Sequence, residues 1–351
     1  MEQIDITGAV CPVPLAHKEQ IVMGHGSGGK LSADLIAKIF LPVFDNQALR
    51  SGDDGAVVNI QAGKIAISTD SHVVAPLFFA GGDIGHLSVC GTVNDVSMMG
   101  AKPLYLTVGF ILEEGLSLEI LQRVVLSMKL AADEAGVQIV SGDTKVVQRG
   151  KADGMYINTT GVGIVRPGFA IGGAQAKPGD VVILSGTVGD HGIAVLAARG
   201  ELGFETDVKS DSAPLNHLVE AMMDASPNIH VLRDPTRGGV ATTLNEIAHQ
   251  SDVCITINES SIPVRLAVAS VCEMLGFDPL YVANEGKLLA IVASEDAPKI
   301  LSVMRATQYG QDAVIIGEVL DAPKRRVLMR TSIGATRVVD VLMGELLPRI
   351  C

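Results

Sequence analysis

The pattern of apolar and polar positions predicts alternating strands and helices from residue 19 onward. Short apolar stretches predict strands at 64–69, 103–110, 137–140 and 155–165. Residues 84–100 carry helical spacing. Ser117 is a good N-cap for a further helix that Gly136 ends. One face of that helix is apolar and carries Leu118, Leu121, Val124, Val125 and Met128.

A stretch rich in Gly, Ala and Pro, 166–179, divides the chain into two halves. The second half repeats the mixture of strands and helices. It starts with the segment DVVILSG (180–186), its further strands are predicted near 253–257, 288–292 and 313–320, and its helices near 191–199, 239–250 and 264–275. We therefore predict an α/β (α+β) protein with four parts: an irregular leader (1–19), two domains (20–166 and 175–330) and a mobile tail (331–351) that ends in Cys351.

Composition and charge narrow the possible partners. The 351 residues are 48% hydrophobic and include 38 glycines, which is typical of a compact α/β protein. The formal net charge of −12 disfavours nucleic acid and anionic membranes as partners. No signal segment and no run of about eighteen apolar residues occurs, so we expect a cytoplasmic protein. The five cysteines are far apart, which disfavours a zinc site or a disulfide framework.

The segment GHGSGGKLS, residues 24–32, resembles a phosphate-binding loop but lacks its metal ligand. Leu31 stands where a P-loop has Ser or Thr. Its glycines leave several backbone N–H groups unobstructed ahead of a helix, so the segment could still cradle phosphates. A helix start without a ligand is the alternative. The predicted phosphate contacts are Gly26, Ser27, Gly28, Gly29 and Lys30.

Acidic residues recur in glycine-flanked segments that follow predicted strands. A single Gly-Asp or Asn-Asp pair is usually only a turn former. Several such acids in one chain indicate more, because loops at strand ends are where open α/β proteins bind ligands. Oxygen ligands suit Mg²⁺, which commonly carries nucleotide phosphates. The predicted metal ligands are Asp53, Asp54, Asp70, Asp95, Asp143 and Asp190.

Several motifs resemble those of the aminoimidazole-ribotide synthetase (PurM-like) superfamily, and within it the chain is similar to the HypE family of hydrogenase maturation proteins. The matching segments include GHGSGGK (24–30), CGTVNDV (90–96), SGDTKVVQRG (141–150), VANEGKL (282–288) and the terminal PRIC (348–351). The resemblance covers 20–351. It implies two PurM-like domains, an N-terminal mixed sheet used for dimerisation, and bound ATP and Mg²⁺.

The resemblance also implies a reaction and partners. A carbamoyltransferase, HypF, would carbamoylate the terminal Cys351, and this chain would use ATP to dehydrate the thiocarboxamide to a thiocyanate. An iron-carrying HypC–HypD complex would then receive the nitrile as a cyanide ligand for nickel–iron hydrogenase.

Two residues could supply the base that such a dehydration requires, Lys145 and Glu285. A lysine desolvated in a pocket can accept a proton. The alternatives are a phosphate contact for Lys145 and a turn residue for Glu285. The remaining predicted contacts to nucleotide or tail are Asp70, Asn94, Thr144, His191 and Arg237.

Other functions remain open at this point. Selenophosphate synthetase and thiamine-phosphate kinase belong to the same superfamily. The former wants sulfur or selenium in the Gly-rich loop, where this chain has Ser27, and the latter has no use for a terminal cysteine. A non-catalytic adaptor that presents the tail to other proteins is a third alternative.

Overall fold

The computed structural model describes residues 19–26, 30–51, 58, 63–200, 203, 206–341, 347 and 349–351. A 3-10 turn, Met23–Gly26, comes first. The helices and strands of the N-terminal half follow in this order: α1 (Lys30–Leu35), a π-helical turn (Ile36–Phe40), α2 (Leu41–Phe44), α3 (Gln47–Ser51), β1 (Ile65–His72), β2 (Phe78–Phe79), β3 (Gly82–Asp83), α4 (Ile84–Met98), β4 (Ala101–Glu113), α5 (Leu118–Ala135), β5 (Gln138–Val147) and β6 (Met155–Val165).

A four-stranded mixed sheet organises the N-terminal half, as predicted. Its strand order is β1-β6-β4-β5; the β4–β5 pair is parallel and the other pairs are antiparallel. Helices α4 and α5 lie on one face of it. Helix α4 is buried on nearly all sides because it also contacts the helix Asn216–Ala225 and the strand Ile229–Arg233 of the second half, so it needs no polar face.

Helix α5 shows how local signals set an element. The Ser117 hydroxyl oxygen accepts a hydrogen bond from the Glu119 amide (3.2 Å), and Gly136 ends the helix with φ of 69°. The left-handed conformation at Gly136 suits glycine because it has no Cβ. The predicted apolar face is buried at Leu121, Val124 and other positions. The predicted cap, face and end are all confirmed.

The opposite face of the sheet is exposed and partly apolar. Ile65, Ile67 and Ile111 are 46%, 63% and 42% exposed. They alternate along β1 and β4 with buried residues, as the two-residue period of a strand requires. Within the part of the chain that the structure describes, no helix covers this face.

The C-terminal half is built on a seven-stranded sheet of order β13-β12-β9-β11-β7-β10-β8. All neighbouring strands are antiparallel except β12 and β9. Its helices and strands are β7 (Val181–Leu184), α6 (Asp190–Arg199), α7 (Asn216–Ala225), β8 (Ile229–Arg233), α8 (Gly239–Gln250), β9 (Cys254–Asn258), α9 (Leu266–Leu275), β10 (Leu289–Val292), α10 (Ala297–Arg305), β11 (Val314–Leu320), β12 (Arg326–Arg330) and β13 (Thr336–Val339).

The C-terminal sheet extends past residue 330, where the predicted mobile tail begins. Strand β13 pairs with β12, and Val339 is fully buried in the core of this half. The first part of the predicted tail is therefore part of the fold. The short strands β8 and β12 and the helices α7 and α10 were not predicted.

Cys90, Cys254 and Cys272 are buried, which agrees with their interpretation as core residues. A helix both long and apolar enough to cross a membrane is not found among the described residues.

Candidate active site

The last three residues of the chain lie in a groove between the two halves. The Val73 amide donates a hydrogen bond to the Cys351 carbonyl oxygen (3.0 Å), and His191 Nε2 lies 2.7 Å from the Ile350 carbonyl oxygen. The Ile350 side chain is only 4% exposed and packs in the N-terminal core. The end of the tail is thus docked against both halves.

The Cys351 thiol is buried beside charged residues. Burial, followed by the negative charge of Glu285, raises the pKa of this thiol to about 12. The Arg237 guanidinium opposes that rise and hydrogen-bonds the thiol. The docked sulfur is therefore protonated at neutral pH and is a poor nucleophile in this position.

Glu285 is a buried carboxyl group beside that thiol. It is 3% exposed, and among the described residues its Oε1 atom has no hydrogen-bond partner. Burial, with the nearby carboxylates of Asp70 and Asp234 adding to it, raises the pKa of Glu285 well above its ordinary value. A carboxylate with a raised pKa is a stronger base than an ordinary one, which suits proton abstraction from a bound substrate.

The backbone around Glu285 is held from two sides. Its amide donates to Asp211 Oδ1 (3.0 Å), and its carbonyl accepts from Asn94 Nδ2 (3.3 Å). Asn94 also donates to the Ala213 carbonyl and accepts from the Leu215 amide. The amide of Asn94, predicted to contact nucleotide, is thus occupied in positioning the Glu285 segment. Asn94 stands near the end of α4.

Three further carboxyl groups cluster near Glu285. Asp95 accepts a hydrogen bond from the Ser68 hydroxyl (2.7 Å), and burial raises its pKa. Burial and the charge of Asp95 raise the pKa of Asp234 to about 7. Asp70 interacts electrostatically with both. The structure thus brings together Asp70 and Asp95, two of the six predicted metal ligands.

This cluster alone does not fit a Mg²⁺ site. Among the described residues, no group of three or more His, Cys, Asp or Glu side chains is placed to hold a metal ion. The predicted ligands Asp53 and Asp54 lie outside the described residues, as do the predicted phosphate contacts Ser27, Gly28 and Gly29 and the side chain of Lys30.

Asp143 and Asp190 lie apart from the cluster. Asp143 is on β5 and Asp70 on β1, the two edge strands of the sheet, so three strand spacings separate them, about 14 Å. Asp70 and Asp143 both lie inside strands, although the sequence pattern predicted loops at strand ends. Asp190 begins α6 in the other half, near Arg265 (3.4 Å), and burial raises its pKa.

Lys145 is exposed and forms an ion pair with Asp143 (2.9 Å) on the solvent side of β5. The predicted role of Lys145 as a desolvated base is therefore not supported, because β5 is the strand farthest from the docked thiol at β1 and the ammonium is not buried. The local sequence around Lys145 could not reveal this position, because the order of the strands in the sheet cannot be read from it.

A cleft of about 230 Å³ opens between β5 and the helices that follow the Gly-rich segment. Thr144 and Lys145 lie at its polar rim, and Phe40 and Phe110 stack in its apolar wall with ring centroids 5.1 Å apart. Gly26 lines it as well; a Cβ there would lie 2.6 Å from the Val146 amide nitrogen. An apolar wall with polar groups at its rim suits a nucleobase and its phosphates.

Three residues in the surroundings of Glu285 and Asp70 escaped prediction. Asp234 stands three residues before the predicted Arg237 and was not itself predicted. His72 is fully buried, with Nε2 3.5 Å from Asp70 Oδ2. Asp211 holds the Glu285 amide, and nothing in its local sequence signals that contact.

Family models match both halves of the chain. Residues 52–165 match "AIR synthase related protein, N-terminal domain", and residues 177–330 match the C-terminal domain of the same description. The chain belongs to the AIR synthase related family. The resemblance inferred from the motifs is confirmed, and so is the α/β architecture with two domains of this type.

Relatives within the AIR synthase related family match nearly the whole chain. A Cupriavidus necator protein named "Carbamoyl dehydratase HypE" is 56% identical over 333 residues, which are 95% of each chain. A crystal structure of HypE in complex with ATP is 51% identical, with a TM-score of 0.91 over 94% of this chain and 99% of that one. The HypE chain of a HypE–HypF complex is also 51% identical, with a TM-score of 0.78 over 88% and 99%.

Proposed function

We propose that this protein is an ATP-dependent carbamoyl dehydratase that converts an S-carbamoyl group on its own Cys351 into an S-cyano group. Relatives of this name match it over nearly their whole length. The observation that carries the proposal is the docking of the terminal thiol beside Glu285 and Arg237 in a groove between the domains. Selenophosphate synthesis and thiamine-phosphate phosphorylation give no role to a thiol in that place.

The chemistry needs two things from the site. The amide oxygen of R–S–CO–NH₂ leaves poorly until the γ-phosphoryl group of ATP is transferred to it, after which it leaves as phosphate. The amide nitrogen loses two protons as the C≡N bond forms. The products are R–S–C≡N, ADP and phosphate, so the elements of water end in the phosphate.

Glu285 and Arg237 match these needs by position and charge. The carboxylate of Glu285 takes protons from the nitrogen, since its pKa is raised and it lies beside the sulfur. The Arg237 guanidinium lies on the same sulfur and neutralises negative charge that develops on the oxygen and its phosphate. The Asp211 and Asn94 contacts hold Glu285 in place for this reaction.

ATP binding is proposed for the cleft beside β5. The relative crystallised with ATP supports a nucleotide site in this fold. Thr144, Lys145 and Gly26 would contact phosphates at the rim, and the Phe40–Phe110 wall would hold the base. His72 and Thr144 occupy the same row across the sheet, so the triphosphate would run across the strands toward the docked tail. Mg²⁺ remains a prediction.

Two assemblies are part of the proposal. The exposed face with Ile65, Ile67 and Ile111 would pack against the same face of a second copy and form a homodimer. HypF would carbamoylate the undocked tail, which the HypE–HypF complex of a relative supports. A HypC–HypD complex would accept the nitrile. The cytoplasmic location stays a prediction.

Intact mass spectrometry tests the reaction. Protein carbamoylated by its partner enzyme is incubated with and without Mg-ATP, and the terminal fragment is weighed. We expect the loss of one water molecule, with ATP only. A carbamoylated fragment that keeps its mass while phosphate is released would refute the dehydratase. No phosphate release at all would indicate an adaptor that only presents the tail.

A further inference from the structure

The Arg349 side chain ties the tail to the N-terminal domain. Its Nε atom donates to the Val73 carbonyl oxygen (3.1 Å), and its Nη1 atom contacts the Asp153 carboxylate in the β5–β6 loop. The guanidinium also lies over the Tyr156 ring, 6.0 Å from the centroid. The side chain of Arg349 therefore holds the chain in place two residues before the terminal Cys351.

Arg199 ties the same residue to the C-terminal domain. This side chain, the last of α6, donates from Nη2 to the Arg349 carbonyl oxygen (2.9 Å) and from Nε to the Ala75 carbonyl oxygen (3.0 Å). One guanidinium thus bridges the tail and the N-terminal segment that the tail lies along. A fork of fixed donors suits this task better than the single ammonium of a lysine.

His191 holds the next residue. A carbonyl oxygen only accepts hydrogen bonds, so the 2.7 Å contact to Ile350 requires a proton on His191 Nε2. Burial lowers the pKa of His191, which favours the neutral ring. In that tautomer Nδ1 accepts from the Ser210 hydroxyl (2.8 Å).

The tail pairs with the segment after β1 in one register. The Val73 amide donates to the Cys351 carbonyl oxygen and the Ala75 amide to that of Arg349 (3.4 Å). A slip by one residue would move the sulfur about 3.3 Å along the groove. Displacements of about 1 Å can slow a positioned reaction about 100-fold. Register therefore decides whether the carbamoyl group meets Glu285.

We propose that Arg199 and Asp153 are positioning residues that clamp Arg349 from the two domains and set the register of the substrate tail. Neither side chain is known to touch the sulfur; each acts through Arg349. The clamp favours the docked tail, where dehydration occurs, and opposes the undocked tail, which a carbamoylating partner needs. The proposal deepens the proposed function, on which it rests for the identity of the reaction.

Alkylation of the thiol tests the clamp without any turnover. Full-length protein is treated with iodoacetamide, cut after glutamate, and the terminal fragment LLPRIC is weighed over time. Because the docked thiol is buried and protonated, the rate follows the undocked fraction. We expect Arg199→Gln and Asp153→Asn each to raise the rate about 10-fold. The matched controls, Arg330→Gln and Asp321→Asn, change exposed ion pairs elsewhere and should leave it unchanged.

Single-turnover assays then separate positioning from folding. In both clamp variants, loss of water from carbamoylated protein should slow about 10-fold, while loading by the carbamoyltransferase stays equal or rises. Arg199→Lys should recover part of the dehydration rate, since it can donate to one of the two carbonyls. Arg349→Gln lies on the tail itself, so it removes the ion pair with Asp153 without changing a residue of either domain.

Two outcomes would overturn the clamp. One is an alkylation rate at the wild-type level in Arg199→Gln, Asp153→Asn and Arg349→Gln. The other is an equal slowing of loading and dehydration, which indicates a general structural defect. Failure of the proposed function would look different. Neither the wild-type protein nor any variant would lose water with ATP, while the alkylation rates would still report on the clamp.

Discussion

Replacing Glu285 by glutamine removes the proposed base and little else. Among the described residues Glu285 Oε1 has no hydrogen-bond partner, so the amide breaks no side-chain contact of that atom. The backbone contacts to Asp211 and Asn94 do not involve the side chain of residue 285 and should remain. A positioned base contributes about 100-fold to 10,000-fold in rate. At about 1.4 kcal/mol for each factor of ten, this is about 3 to 6 kcal/mol of transition-state stabilisation.

The pH dependence of the dehydration rate gives a second, independent test of Glu285 as the base. Glu285 must be ionised to accept a proton, and its pKa in the fold is raised by burial and by the surrounding acids. The wild-type rate should therefore rise as the pH rises toward that raised pKa. The residual rate of Glu285→Gln should lack this rise.

The stability of the folded protein should fall with rising pH, while the reaction rate rises. The folded protein holds the Glu285 proton to higher pH than the unfolded chain, so the stability from this group is complete below the unfolded pKa of about 4.3. That stability is lost as the pH rises toward the raised folded pKa. Glu285→Gln should remove this loss and be no less stable than wild type at neutral pH.

The assay is the rate of water loss from carbamoylated protein under single-turnover conditions, read by the mass of the terminal fragment across pH. ATP binding measured by calorimetry is the control, because the nucleotide cleft lies beside β5. A variant that loses water within about threefold of the wild-type rate would refute the assignment of Glu285 as base. A variant that binds no ATP would instead show that the substitution disturbs the domain arrangement.

Three other predictions concern the terminal thiol, the buried carboxyl group of Asp234 and the exposed face of the N-terminal sheet. Cys351→Ala should bind ATP yet accept no carbamoyl group, and labelled carbamoyl retained elsewhere on the chain would contradict this. Above pH 7, Asp234→Asn should be more stable than wild type by up to about 4 kcal/mol in urea denaturation. The reason is that a carboxyl group whose pKa is raised to about 7 in the fold costs stability as the pH rises from about 4 to 7. Equal urea midpoints of the two proteins would count against this prediction. Ile67→Lys should turn a dimer into a monomer by light scattering, whereas Ile333→Lys, on an exposed turn of the other domain, should not; a wild-type monomer at micromolar concentration would remove the interface.

Local signals predicted those elements whose stability is mostly local. The Ser117 cap, the apolar face of α5 and the Gly136 end are encoded within about 20 residues, and β6 was predicted with its observed bounds. Strand β12 was missed because its neighbours in the sheet, β9 and β13, supply what its own five residues do not signal.

The site was predictable only in part, for the same reason. Asp70 and Asp143 look alike in sequence, each after a short apolar run, but the strand order puts them at opposite edges of one sheet. The docking of Cys351 depends on Val73 and His191, which are far from it along the chain. No pattern near the terminus can report contacts with such distant partners.

The groove that receives the tail has one wall from each domain, and this has a consequence for the whole molecule. A docked tail acts as a cross-brace between Val73 on one side and Arg199 on the other. When the terminus departs to meet a partner, that brace departs with it, and the two walls of the groove lose the contacts that the tail adds between them. The form that a carbamoylating enzyme encounters is then looser than the form that performs the chemistry, so hydrogen exchange in β1 and α6 should quicken whenever the last residue is away.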